Sequence, residues 1–225
     1  VSLVALLLVV PGSARTGKTA HVSPETGAVT GHVQIVARPT QRLASAGAYP
    51  TRNVSVAIEQ SGSELANVVV FVKAPPTHAP AVRASIRQKE EVFLPHVVAV
   101  PVGSTVEFPN DDLIFHNVFS LSRTATFDLG RYPRGQSRSR TFSAPGIVKV
   151  YCNLHSHMNA VIRVFDHPYF AIPDGEGRFR IAGLAPGQYD VVAWHERVGE
   201  VTLEAAVAAG QSATLSFALP LQDVK

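Results

Sequence analysis

Short apolar runs broken by turn residues constrain the fold of this chain more than any other feature. Runs rich in valine, threonine and aromatic residues meet glycine, proline, asparagine or aspartate about every ten positions. Sixteen glycines and sixteen prolines punctuate the 225 residues. Such a pattern leaves room for little helix and implies an all-β chain built as sandwiches. With 46% hydrophobic and 16% charged residues, there is enough apolar material for one large core or two small ones.

Val29 to Ala37 (VTGHVQIVA) alternates as a half-buried strand does, and Val68 to Lys73 (VVVFVK) is a second, more apolar strand. A further strand is expected at Val54 to Glu59. The proline-rich Ala74 to Pro80 stiffens and extends the chain in the manner of a domain junction. Beyond it strands crowd together: Ala84 to Gln88, Val92 to Val100, Thr105 to Phe108, His116 to Ser120, Thr126 to Leu129, Ser139 to Ser143, Ile147 to Cys152 and Ala160 to Phe165. These suffice for a complete small sandwich. In the last stretch, Asp174-Gly175-Glu176-Gly177 is expected as a hairpin turn, with further turns at Gly183 and Pro186-Gly187. A final alternating strand runs from Ala213 to Leu219.

Val1 to Val10 is an apolar run, too short to span a bilayer, which takes about 20 residues. It has the size of a secretory h-region, and Pro11-Gly12-Ser13-Ala14 supplies small residues for cleavage after position 14. A signal peptide within residues 1–20 and an exported, periplasmic product are expected, although the basic segment that usually precedes such a run is missing. No other run approaches membrane length, so no transmembrane segment is expected. The net charge of +3 is weak for nucleic-acid binding, and Arg131, Arg134, Arg138 and Arg140 fit a solvated hairpin. Neither a Gly-x-Ser-x-Gly nor a P-loop pattern is present, and the chain is not expected to be an enzyme.

One cysteine excludes an internal disulfide, so a lone thiol in an oxidising compartment calls for another explanation. Metal ligation is one. Cys152 lies in Val150-Tyr151-Cys152-Asn153-Leu154-His155-Ser156-His157-Met158, where a strand runs into a short loop holding a thiolate, an imidazole and a thioether as C-x2-H-x2-M. The only cysteine and the only methionine thus stand six positions apart with histidine between them. Two imidazoles and a thiolate in a plane, with a weak axial thioether, mark copper electron-transfer sites. The loop is one imidazole short, and a neighbouring strand has to provide it. His116, thirty-six residues upstream at the end of an apolar run, is the candidate. His157 also lies in the loop and competes with His155. A structural zinc site wants more than one cysteine, and a cysteine nucleophile wants a histidine free of metal.

At these motifs, over roughly residues 82–166, the chain resembles the cupredoxins. Phe108-Pro109-Asn110 and His116-Asn117-Val118 are similar to the pattern around that family's N-terminal histidine ligand, and the short loop looks most like the amicyanin type. The resemblance implies a Greek-key sandwich holding one copper ion, Cu(I) or Cu(II), on His116, Cys152, His155 and Met158. It implies Asn117 as the residue that ties the ligand strand to the cysteine loop. It also implies an electron carrier whose partner is a c-type cytochrome or a periplasmic dehydrogenase, such as one of methylamine utilization. The electron would leave through His155 and an apolar rim of Ile114, Phe115 and Leu154, with His157 beside it. Amicyanin-type loops carry prolines where this one has Asn153 and Ser156, whose donors bear on the redox potential.

The segment DGEGRFRIAGLAPGQYDVVAW resembles a second family, the carboxypeptidase regulatory-like or prealbumin-like module. Its opening strands would be Gly31-His32-Val33 and Ala66 to Val70, on the far side of the dense region. The expected organisation is a regulatory-like β-sandwich of residues 28–75 and 167–220, with the copper domain of residues 82–166 inserted in it or joined to it. His195 is expected to be structural or interfacial. The main rival is an exported binding module for carbohydrate or protein, with structural or delivery-type copper; Tyr169, Phe170 and Trp194 are few aromatics for that role. Copper storage would want more than the single Met158.

Overall fold

The computed structural model describes residues 25–38 and 64–222. The N-terminal apolar run with its cleavage site and the strand expected at Val54 to Glu59 lie outside these residues. The described residues form seventeen strands: β1 (Gly27–Arg38), β2 (Val68–Val72), β3 (Arg83–Ser85), β4 (Arg87–Lys89), β5 (Val92–Leu94), β6 (Val97–Pro101), β7 (Thr105–Pro109), β8 (His116–Ser122), β9 (Ala125–Tyr132), β10 (Ser137–Thr141), β11 (Gly146–Tyr151), β12 (Asn159–Phe165), β13 (Phe170–Ala171), β14 (Arg178–Leu184), β15 (Gly187–His195), β16 (Gly199–Val207) and β17 (Ser212–Gln222). The chain is all-β, as its punctuation implied. None of its described residues forms a helix long and apolar enough to cross a membrane.

Two expected strands divide. Ala84 to Gln88 becomes β3 and β4, because the chain passes at the buried Ile86 from pairing with β7 to pairing with β5. Val92 to Val100 becomes β5 and β6, because Pro95 has no N–H with which to continue a ladder. The turn at Asp174 to Gly177 is tight, its amides donating to the Asp174 side chain, but it joins β13 to β14, which lie in different sheets. It is a crossing between sheets rather than a hairpin. β16 was not anticipated from the sequence.

Four sheets stack face to face. The first has the order β14-β1-β17, the second β13-β2-β15-β16, the third β6-β12-β11-β8-β9 and the fourth β10-β7-β3. Val29, Val33, Phe179, Ile181 and Phe217 of the first sheet pack on Val68, Val70, Val72, Val191 and Val207 of the second. The opposite face of the second sheet, with Val69, Phe71, Val192 and Trp194, meets Val97, Val161 and Phe165 of the third. The other face of the third, with Val100, Val118, Val150 and Ile162, packs on Val106, Phe108 and Phe142. Strand β2 is therefore covered on both faces, which explains its unbroken VVVFV. A strand with one wet face would have alternated.

Sheet pairing also carries the chain across the dense region. β1 pairs with β14 and, in parallel, with β17, while β2 pairs with β13 and β15. Val68 to Val72 and Phe170–Ala171 thus belong to one sheet, and β3 to β12 are spooled out between them.

A cation and an ionic latch join the second and third sheets. The Arg163 guanidinium lies 4.8 Å from the Trp194 ring centroid and 4.9 Å from that of Phe71, with Glu200 at 3.8 Å, so this charge rests on aromatic faces beside a carboxylate. Nearby, Glu196, between β15 and β16, accepts from His96 at 3.0 Å and from Lys149 of β11 at 2.7 Å. His96 also directs Nδ1 at the Asn159 carbonyl, 3.1 Å away. Both partners of the ring only accept hydrogen bonds, so both are satisfied only by the doubly protonated imidazolium. The hydrogen bond to Glu196 raises the pKa of His96 above its ordinary value, and Glu196, bonded to His96 and Lys149, is lowered to about 2.

The latch sets a pH dependence. Because the folded-state pKa of His96 is raised, its contribution to stability is complete below the ordinary value of 6.5 and is lost as pH rises through the raised value. Thermal unfolding followed from about pH 6 to about pH 9 should show a Tm decline that is smaller in Glu196→Gln. Equal slopes in the two proteins would remove the latch from the account.

Candidate metal centre

The metal loop is the connection of a hairpin. β11 pairs antiparallel with β12, and the register Tyr151↔Asn159 leaves residues 152–158 as the loop. Two backbone bonds close it, Cys152 N to the Met158 carbonyl at 3.3 Å and Met158 N to the His155 carbonyl at 3.0 Å. β8 lies on the other side of β11, with Tyr151 opposite Phe119, and its first residue is His116. Strand order thus brings a histidine distant in sequence beside the loop.

The structure brings His116, Cys152 and His155 together. His116 Nδ1 and His155 Nδ1 are 3.1 Å apart, and Cys152 Sγ is 4.0 Å from the first and 3.8 Å from the second. For an ion about 2.0 Å from each nitrogen and about 2.3 Å from the sulfur, these separations subtend about 100°, about 135° and about 125°. Three such angles nearly close a full turn, so the donors can surround one ion in a plane. His116 is 0% and Cys152 3% exposed, which shields the thiol from solvent oxidants. Met158, 1% exposed, ends the loop and belongs to the same core cluster as Cys152.

Neighbouring residues hold this arrangement. Asn117 donates through Nδ2 to Asp128 at 2.6 Å, and its Oδ1 faces the Asn153 amide at 3.4 Å, so the ligand strand and the loop are linked through one buried amide. The Asn153 side chain faces outward with the exposed Leu154. His116 Nε2 lies 2.7 Å from Asp112 Oδ2. Burial pushes the Asp112 carboxyl up, but hydrogen bonds from the Glu91 amide, the His116 ring and the Glu90 amide outweigh it and hold the pKa below the usual value.

An apolar surface borders the site. Phe115 is 55% exposed and Ile114 and Leu154 are exposed beside the half-buried His155; Leu113, not singled out from the sequence, is 83% exposed. His157 points outward, its Nε2 3.7 Å from Glu91 and its ring centroid 6.2 Å from that of His155. His195, by contrast, is buried in the second sheet and held by Glu64 at 3.0 Å. Sequence reasoning also passed over Asp112 and the β4–β5 turn; a carboxylate four residues before a candidate ligand was the available signal.

No protein-family model matches the chain, and no curated protein does. Solved structures similar to part of it include a cupredoxin, amicyanins and a copper-containing nitrite reductase. The purple cupredoxin from Nitrosopumilus maritimus is 24% identical over 36% of this chain and 99% of that one, with a TM-score of 0.33. Amicyanin from Paracoccus versutus is 21% identical over 43% of this chain and 97% of its own, with a TM-score of 0.35. The copper-containing nitrite reductase of Thermus scotoductus is 26% identical over 42% of this chain and 24% of that enzyme, also with a TM-score of 0.35.

Asn117→Ala should destabilise the protein by about 0.5–1.5 kcal/mol in denaturant unfolding, because it removes the hydrogen bonds of a buried amide whose exposed partners can turn to water. Hydrogen exchange at the Asn153 amide should quicken in the same variant.

Proposed function

We propose that the chain is an exported type 1 copper protein that carries single electrons between redox partners and is not itself an enzyme. The observation that carries this reading is the near-planar closure of His116, Cys152 and His155 around one ion position, which suits a soft thiolate and two imidazoles. Met158 would add a thioether as a further, weak ligand. Copper, if bound by these residues, would supply a one-electron Cu(I)/Cu(II) couple. The protein's part is to keep the donors still: His116 starts a sheet strand, and the loop is closed by its own backbone bonds. Little rearrangement then separates the two oxidation states. Asn117 and Asn153 tie strand to loop. His155, half-buried, forms the electron exit, and the exposed Ile114, Phe115 and Leu154 displace water where a partner docks. His157 lies at the edge of that patch. The partner is proposed to be a c-type cytochrome or a periplasmic dehydrogenase, of methylamine utilization or another pathway.

The regulatory-like module is assigned to residues 28–75 and 167–220, wrapped around a copper domain of residues 82–166. The pairing of β1 with β14 and β17, and of β2 with β13 and β15, supports this division. A carbohydrate-binding role for the outer module is less well supported, since Trp194 is buried under Arg163 and Tyr169 and Phe170 are half-buried.

Adding Cu(II) to the purified chain should give a strong visible thiolate-to-copper band that saturates at one equivalent. Cys152→Ser should abolish the band with the far-UV circular dichroism unchanged; persistence of colour would overturn the assignment.

Two further substitutions separate the loop histidines. His155→Ala should destroy the blue site unless external imidazole fills the gap, and His157→Ala should leave spectrum and metal affinity nearly intact. The opposite pattern would transfer the ligand role to His157.

A further inference from the structure

We propose that Asp112 is a positioning residue of the metal centre, acting through His116 to select the ring nitrogen that meets the ion and to place a negative charge behind it. The inference rests on the copper reading above. An ionised carboxylate only accepts hydrogen bonds, so its 2.7 Å contact with His116 Nε2 puts the ring proton on that nitrogen. A neutral imidazole carries one N–H, and Nδ1 is therefore left with a lone pair aimed at Cys152 Sγ and His155 Nδ1. The opposite tautomer would turn an N–H into the donor cluster and close the site to a cation.

The carboxylate is itself built in. The Glu90 amide donates to Oδ1 at 2.6 Å and the Glu91 amide to Oδ2 at 2.9 Å, while the amide of Asp112 donates to Asn110 Oδ1 at 2.9 Å. Glu90 and Glu91 both adopt positive φ, 55° and 56°, in the turn from β4 to β5. That backbone is disfavoured for residues with a Cβ, yet here it brings two successive amides onto one carboxylate. Asn110 completes the support: its Nδ2 donates to the carbonyls of Ile114 at 2.9 Å and Tyr132 at 3.0 Å, pinning the segment between Asp112 and His116. The β4–β5 turn thereby acts on His116 without touching it.

The charge has its own consequence. A carboxylate bonded to the far side of a ligand imidazole raises the ring's basicity and favours the dipositive over the monopositive ion. Asp112 therefore lowers the reduction potential of the site.

The test uses the full chain and three readouts. Asp112→Asn keeps an oxygen for the His116 N–H and removes the charge, so the midpoint potential of the copper form is expected to shift upward. Asp112→Ala should weaken Zn(II) binding roughly 10- to 100-fold, measured without any redox step. In the metal-free wild-type protein, nitrogen NMR should show the His116 ring as the Nε2–H tautomer. An Nδ1–H ring would overturn the proposal, as would a potential and a Zn(II) affinity unchanged in folded variants. If neither variant folds, the wild-type tautomer decides. Copper binding without a visible band in the wild type would instead count against the copper reading, while the tautomer and Zn(II) measurements still judge Asp112.

Discussion

The candidate metal centre depends on one register: β11 against β12 with Tyr151 opposite Asn159, and β8 laid along the other edge of β11. A shift of one residue in either ladder would turn Cys152 or His116 to the opposite face of the sheet, because side chains alternate with a period of two. Apolar residues on both sides of the sheet hold the register. Val150 and Ile162 face the fourth sheet and Val161 the second, so slippage would expose one set and bury charge with the other. The hydrophobic pattern of a hairpin thereby brings two nitrogens and a sulfur within 4.0 Å of one another.

The layers behind the site are not passive. Packing the second sheet on the third removes a large apolar face from water and leaves two polar demands in the seam. Arg163 is met by aromatic rings, and Glu196 by Lys149 and His96. His96 binds the carbonyl of Asn159, the residue after Met158. The turn between β15 and β16 therefore reaches the end of the loop through the Glu196 and His96 side chains. A lone three-sheet arrangement without β2 and β15 would leave Val161, Phe165 and Val97 facing solvent.

Much of this was legible along the chain. Alternation and turn residues located nearly every strand of the dense region, and the coincidence of the only cysteine, the only methionine and a histidine in seven residues marked the metal loop. The places where the sequence misled are those where neighbours decide. Ile86 and Pro95 divide apparently continuous runs because the chain changes sheets there. β16 alternates through small residues such as Ala205, whose burial depends on what covers them. Asp112 and the amides of Glu90 and Glu91 form a cluster only because the β4–β5 turn folds back against the segment before β8.

What the sequence determined by itself was the kind of fold and the chemistry of the donors. Periodicity is a local property, and the identity of a thiolate, a thioether and an imidazole needs no neighbours. What only the tertiary structure brought was the approach of two histidine nitrogens to the Cys152 sulfur, and which nitrogen of each faces it. His116 is thirty-six residues from Cys152 in the chain, and several other histidines could have filled the place on composition alone. Ring orientation depends on Asp112, a hydrogen-bond partner itself held by the amides of the β4–β5 turn. Contacts across that separation exist only once the sheets have closed, which is why local pattern could propose the donors and only packing could aim them.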